Sequence, residues 1–453
     1  MRLSRFVLSL RDVVPGEHVL YDVIGDRYAG VDEGALAAIA RWEAAPPAPG
    51  IEEETASALR ELGFLVRDAV EDDARFAAHR EATAEGIPGT AYVTLMPTLS
   101  CDLACTYCFQ KDHPASGRMS AETEAAALAW IEHQVVATGA RRLLVHYIGG
   151  EPLLRKDFLL RTARALAAAL APLGVGLAWE ITTNGLGLEP GLLRDLSALG
   201  RGSVKVTLDG DRATHDAARI FRDGRGTFDA IFDALVKVAR ECPDVVLRLG
   251  GNVQAGADRS CEHLLDRLEA AGLAGRFESV RFKPVLDVSG ACAQSCGSEA
   301  AGADRLTQLA VRRGVAQRAP AGIDAVTPCE LHWKRSFVID PAGRVYKCLA
   351  VAGRPELALG TVHAGALSPD PLTAGRAWER CGTDCPFVPV CLGGCLGGRY
   401  LQSGRTGQLQ CDRQSLEARF RAEITRRYVE EFHPGAAPAA PAPPAAIEVS
   451  AAA

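Results

Sequence analysis

Between residues 91 and 285 the chain alternates short apolar runs with longer amphipathic ones, and nothing else in the sequence constrains its fold as strongly. Residues 91–97, 142–148, 176–182, 203–208, 245–253 and 279–285 have the length and apolar character of buried strands. Residues 121–138, 156–170, 190–199, 228–240 and 258–271 have helical spacing and start signals. Strands that alternate with helices in this way predict an α/β fold on a parallel sheet, either open and doubly wound or barrel-like.

In barrel-like sheets the working residues stand on loops just past the strand C-terminal ends. The unusual stretches of this chain fall at those places. After the first strand, Ser100-Cys101-Asp102-Leu103-Ala104-Cys105-Thr106-Tyr107-Cys108-Phe109 sets three cysteines at C-x-x-x-C-x-x-C spacing. Thiolates in a tight loop suit iron–sulfur clusters or zinc. Three protein ligands leave one iron of a four-iron cluster open, whereas zinc wants a fourth ligand nearby, and the next cysteine is Cys242. Gly149-Gly150-Glu151-Pro152 follows the second strand, Thr182-Thr183-Asn184-Gly185 the third and Thr207-Leu208-Asp209-Gly210 the fourth. Polar or glycine-rich tips gathered on one rim make a site.

The flanking segments read differently. Residues 1–70 predict three short strands and two helices, the first capped by Asp32, with a Pro-rich break at Pro46, Pro47 and Pro49. Beyond residue 285 the strand–helix rhythm stops and cysteines crowd in: Cys292, Cys296, Cys329, Cys348 after a hairpin at 336–340 and 345–348, then Cys381, Cys385, Cys391, Cys395 and Cys411. Residues 411–432 predict a charged helix, and the Ala/Pro-rich tail from 433 a disordered extension.

A chain of 453 residues is long enough for two or three domains. Its formal charge of -6 excludes a broad basic surface for nucleic acid. No apolar stretch reaches membrane-spanning length, and the first 14 residues are too brief for a signal peptide. A cytoplasmic protein is therefore expected, in which the 14 cysteines do not pair as disulfides and the clustered ones serve metals. Cys242 and Cys261, in helical segments, read as ordinary buried thiols.

The three-cysteine loop, with Tyr107 before its last cysteine, resembles the signature of the radical S-adenosylmethionine (SAM) enzymes. The resemblance covers about residues 90–284. It implies a partial (β/α)6 barrel, with a [4Fe–4S] cluster on Cys101, Cys105 and Cys108 that binds SAM at its open iron. By the same resemblance Gly149, Gly150 and Glu151 hold the SAM amino group, and Thr183, Asn184 and Thr207 line the ribose and carboxylate. Arg219 pairs with the carboxylate, with Arg222 and Arg225 as neighbouring candidates.

The C-terminal cysteines resemble the SPASM domain, which holds two auxiliary [4Fe–4S] clusters. Carried over, Cys329, Cys348 and Cys395 hold the first, and Cys381, Cys385, Cys391 and Cys411 the second. Two departures stand out: one extra residue between Cys381 and Cys385, and no obvious fourth ligand for the first cluster, for which Cys292 and Cys296 are candidates. The N-terminal segment resembles a winged-helix peptide-recognition domain, in which a leader peptide adds as a strand to the sheet edge; a structural cap on the next domain is the alternative.

These resemblances divide the chain at 1–78, 90–288, 289–432 and 433–453. They imply a peptide maturase that crosslinks a ribosomally made precursor held through its leader, with a flavodoxin or ferredoxin as electron donor. Two other readings are open. One is formylglycine formation on a protein, as in anaerobic sulfatase maturases, which share the Leu-Asp-Gly, His-Asp and arginine pattern of residues 208–219. The other is a zinc-stabilised binding protein.

Overall fold

The N-terminal segment closes a small sheet before the alternation begins. The computed structural model describes residues 2–44, 53–108, 110, 117–254, 256–285, 296–318, 328–381, 385–411 and 413–434. After β1 (Arg2–Leu3), strands β2 (Val7–Val14), β3 (Glu17–Asp22) and β4 (Arg27–Val31) form an antiparallel sheet in that order. Helices α1 (Glu33–Ala44) and α2 (Glu53–Glu61) follow, then β5 (Leu65–Val66), which pairs with β1, and α3 (Ala69–Ala84). Asp32 caps α1 as expected, its Oδ1 accepting the Ala35 N–H at 2.7 Å.

Helix α3 is not signalled by apolar spacing because the residue that anchors it is a carboxylate. Asp72, fully buried, accepts from Arg2 Nη2 at 2.8 Å, Ser4 Oγ at 2.6 Å and the Arg5 N–H at 3.1 Å. The helix runs past residue 78, where the sequence places a domain boundary.

The core alternates β6 (Thr90–Leu95), α4 (Ala121–Ala137), β7 (Arg142–Tyr147), α5 (Lys156–Leu170), β8 (Gly176–Thr183), α6 (Pro190–Ser197) and β9 (Arg201–Thr207). It continues through α7 (Arg212–Ala218), α8 (Phe228–Glu241), β10 (Val246–Val253), α9 (Asp258–Ala270) and β11 (Phe277–Pro284). All six strands are parallel, and their order in the sheet is their order in the chain. An unreversed order means single winding, so right-handed crossovers place the helices on one face. This decides between the two sheets the sequence allowed: barrel-like, not doubly wound. The helix-covered face buries Val93, Val145, Ile181, Val206, Leu249 and Phe282, with Cys242 and Cys261 in the same core.

The rhythm goes one helix further than the sequence suggests. Helix α10 (Cys296–Arg312) packs on β11, and its Thr307 Oγ1 accepts the Phe282 N–H at 3.1 Å. The expected hairpin, β12 (Ser336–Ile339) and β13 (Arg344–Tyr346), is not a separate unit. β12 lies parallel to β6, pairing Ser336 with Tyr92 and Ile339 with Leu95, and β14 (Gly360–Thr361) adds beyond β13 to complete nine strands. Cys292 and residues 435–453 lie outside the described residues.

Helices α11 (Val388–Cys391), α12 (Leu396–Ser403) and α13 (Arg413–Phe432) are the last described elements. The apolar stripe Leu416, Phe420, Ile424 and Tyr428 of α13 lies on Leu8, Leu10, Val19 and Tyr21 of the N-terminal sheet, with Phe387 and Val390 in the same cluster. The sheet's other face takes Leu36, Ile39, Leu59 and Phe64. The first and last parts of the chain thus share one core. Phe420→Ala should cost about 3–5 kcal/mol and, in hydrogen exchange, deprotect β2 and β3 ahead of β6–β11. Among the described residues no helix is long and apolar enough to cross a membrane.

Candidate active site

The C-terminal ends of β6 to β10 bring the predicted tips together. The cysteine loop leaves β6 and is zipped along the segment after α7: Ala104 N–H donates to Ile220 O at 2.8 Å and Thr106 N–H to Ala218 O at 3.0 Å. Arg222 fixes the loop from outside, its Nε and Nη2 reaching Cys101 O at 3.1 and 3.0 Å. Burial raises the thiol pKa of Cys105 and takes Cys101 up to about 12, so loading a metal on these thiols releases protons.

Gly149 and Gly150 pack against the same loop. A Cβ on Gly149 would stand 2.2 Å from Thr98 O, and one on Gly150 2.2 Å from Ser100 O and 2.4 Å from Leu99 O. The Gly150 N–H donates to Thr98 O at 3.1 Å and the Glu151 N–H to Ser100 O at 2.9 Å. The sequence motivates these glycines by close approach of a ligand; the structure shows the close approach of two loops. Glu151 in turn is tied to the third tip. Its carboxylate accepts from Thr183 Oγ1 at 2.8 Å, Asn184 N–H at 2.7 Å and Leu153 N–H at 2.9 Å. Burial pushes Glu151 up to about 7 against these three donors. Asn184 Nδ2 donates to Asp102 Oδ1 at 2.7 Å and lies 3.9 Å from Cys101 Sγ.

The fourth tip holds a polar network that the sequence shows only in part. Tyr107 Oη donates to Asp209 and accepts from Arg219 Nη1 at 3.1 Å and Asn252 Nδ2 at 3.2 Å. The Asn252 N–H donates to Asp209 Oδ1 at 2.7 Å. Burial raises the Asp209 pKa, with the Arg219 charge opposing it. His215, taken down to about 3 by burial and then by Arg219, stays neutral and accepts the Asp209 N–H on Nδ1 at 3.2 Å. Of the three candidate arginines only Arg219 is buried in this network; Arg222 holds the cysteine loop and Arg225 pairs with Asp223 at 2.8 Å. Arg219 Nε is buried with no partner among the described residues, an unspent donor beside the cysteine loop. Thr207 ends β9 opposite Gly250 of β10. Asp209 stands inside a quoted motif and was legible; Asn252, forty-three residues away, had no local signal.

The C-terminal thiols gather in two further groups. Burial raises the Cys348 pKa, and Cys395 and Cys329 raise it further. Gly397 and Gly398 make room for these sulfurs: a Cβ would come within 2.5 Å of Cys348 Sγ and 2.9 Å of Cys395 Sγ. Cys381 is raised by burial, then by Cys385 and Cys411. Cys391 is raised by burial to about 11, with Cys381 and Cys385 adding to it. Among the described residues no three His, Cys, Asp or Glu side chains close on a point small enough for a single metal ion.

Comparison with known proteins gives these features a context. Residues 95–252 match the Radical SAM superfamily model. The chain is 25% identical over 322 residues to a serine-type anaerobic sulfatase-maturating enzyme of Klebsiella aerogenes, covering 65% of this chain and 77% of that protein. It is 27% identical over 346 residues to the PqqA peptide cyclase of Rhodopseudomonas palustris, covering 70% and 85%. The fold is similar to that of Streptococcus suis SuiB bound to precursor peptide SuiA, with TM-score 0.50 and 14% identity over 91% of this chain and 99% of that one.

Proposed function

We propose that this chain, an enzyme with a radical SAM domain over residues 95–252 that uses SAM and a [4Fe–4S] cluster, is a SPASM-type maturase that abstracts hydrogen from a peptide, forming a crosslink in a ribosomally made precursor. The observation that carries this reading is that the charges of ten thiols act on one another in three sets, one of them at the strand rim, in a chain similar over most of its length to peptide and protein maturases.

Cys101, Cys105 and Cys108 would hold the SAM-binding cluster. Cys329, Cys348 and Cys395 would hold one auxiliary cluster, and Cys381, Cys385, Cys391 and Cys411 the other. When bound, a [4Fe–4S] cluster and SAM would supply the one-electron chemistry that hydrogen abstraction from an unactivated carbon needs. The chain's own part is to bind, orient and exclude water. The buried, unpartnered Nε of Arg219 suits the SAM carboxylate, and the Tyr107–Asp209–Asn252 network keeps that arginine in place. Glu151, already accepting from three protein donors, acts chiefly by holding the second and third tips together. The zinc-stabilised binding protein is set aside, since the matched family is enzymatic.

The N-terminal sheet supports a leader-bound precursor as partner, with a flavodoxin or ferredoxin donating electrons in the cytoplasm. Deleting residues 1–70 is a poor test of this, because it strips α13 of the sheet with which it shares Phe387 and Val390, neighbours of Cys385 and Cys391. The similarity to a serine-type sulfatase-maturating enzyme favours formylglycine formation as the second reading. Mass spectrometry of peptides incubated with reconstituted enzyme and SAM separates them. A product short of hydrogen that resists fragmentation between two residues and ignores hydrazide reagents is expected. A hydrazide-reactive aldehyde would replace the crosslinking reading by the second.

A further inference from the structure

The concave face of the core sheet carries both paired and unpaired charges. Strand alternation and register put Glu180 of β8, Lys205 and Thr207 of β9, Arg248, Gly250 and Asn252 of β10, and Arg281 and Lys283 of β11 on that face. Around Arg248 the charges are paired: its Nη1 meets Glu180 at 3.2 Å and its Nε meets Glu278 at 2.6 Å. The register shift beside Arg248 is what lets Glu278 reach the same face.

From Lys205, opposite Arg248 in register, towards the rim the pairing stops. Lys205 and Lys283 have no ion pair or hydrogen bond among the described residues, and Asp304, the carboxylate facing Arg281, is held by Arg419 at 2.8 Å. Lys205 lies over Gly250, where a Cβ would stand 3.0 Å from its Cε and 3.9 Å from its Nζ. A glycine inside a strand marks a place where something approaches closely, and here it leaves the ammonium room. Lys283 stands opposite Asn252 and feels the charge of Asp209, so it borders the network around Tyr107. Burial, then Lys283 and Arg281, bring Lys205 down to about 8. Unpaired like charges on one wall cost stability, and an anion among them removes that cost.

We propose that Lys205, Lys283 and Arg281 form a binding site for a carboxylate of the peptide substrate, holding it on the concave face beside the reacting carbon. This rests on the reading that a peptide reacts at this rim. The carboxylate has two sources, an Asp or Glu side chain or the peptide C-terminus. Arg219 meets the Tyr107 network from the cysteine loop, where Cys105 feels its charge, and Lys283 borders that network from β11; the wall is assigned to the substrate and Arg219 to SAM.

The test is equilibrium dialysis of reconstituted full-length enzyme, with SAM present, against radiolabelled Ac-Gly-Glu-Gly-NH2, Ac-Gly-Gln-Gly-NH2 and Ac-Gly-Gly-Gly-OH. The glutamyl or the free-acid peptide should bind about tenfold tighter than the glutaminyl one, the size of one charge-assisted pair. Whichever of the two prevails names the source. The preference should vanish in Lys205→Met/Lys283→Met and survive in Lys205→Arg/Lys283→Arg. Lys283→Glu, which stands even if the methionine variant fails to fold, should shift preference towards Ac-Gly-Lys-Gly-NH2. Equal binding of the three peptides, no uptake of any, or an unchanged preference in the variants overturns the proposal. Loss of labelled SAM uptake in folded Lys205→Met/Lys283→Met also overturns it, because the wall then belongs to the SAM pocket. Dialysis needs no turnover, so failure of the maturase reading, seen as no product on any peptide, is told apart from failure of this one.

Discussion

Replacing Cys101, Cys105 and Cys108 together by alanine is expected to abolish SAM cleavage while the rest of the molecule stays folded and keeps its other metal. Anaerobically reconstituted wild type should hold about 12 iron per chain, and the triple variant about 8. The selectivity follows from where the thiols lie. The rim loop is tied to its surroundings by backbone bonds, Ala104 to Ile220 and Thr106 to Ala218, and by Arg222 to Cys101 O, none of which uses a cysteine side chain. The thiols whose charges act on one another at Cys348 and Cys381 belong to the other two groups. Iron and acid-labile sulfide analysis with a 5′-deoxyadenosine assay checks both halves of the statement. Unchanged iron, or residual cleavage at the wild-type rate, would remove the rim loop from the chemistry.

Gly150→Ala should be nearly as damaging although it touches no thiol. Its Cβ would meet Ser100 O at 2.2 Å and Leu99 O at 2.4 Å, both backbone atoms that cannot swing aside. The second tip must then retreat from the cysteine loop, breaking the Glu151 N–H bond to Ser100 O and dragging Glu151 away from Thr183 and Asn184. A displacement of about 1 Å at a reacting centre costs about 100-fold in rate, so SAM cleavage should fall by at least that much, with iron lost at the rim site alone. Gly191→Ala is the control: nothing lies within 4 Å of its Cβ position in α6, and alanine favours helix. If Gly150→Ala cleaves SAM like the wild type, the packing of the two loops is not what the glycine is for.

Much of the site was readable without coordinates because its parts are local signals. Each strand is an apolar run of its own, and each tip is a short motif immediately after one. The cysteines carry their chemistry wherever the chain puts them. Helix α3 was missed for an equally local reason: Asp72, at its most buried position, is polar and erases the apolar stripe. Helix α10 was missed because its first residues are a Gly/Ala-rich stretch that reads as loop.

By itself the sequence determined the parallel α/β core and the rim on which its unusual loops gather, because periodicity and motif spacing act within a few residues. Only the tertiary structure decided which partner each face takes. The stripe on α13 names no partner in sequence, yet it packs on β2 and β3, with Tyr28 donating to Glu431 across 403 positions. Likewise the hairpin of β12 and β13 reads the same whether free or joined to β6. Pairing of charges is non-local too. Arg248 is neutralised and Lys205 opposite it is not, a difference made by Glu180 and Glu278 arriving from two other strands. Burial and ion pairing depend on what the folded chain brings near, and that is fixed by the whole topology rather than by any neighbourhood in the sequence.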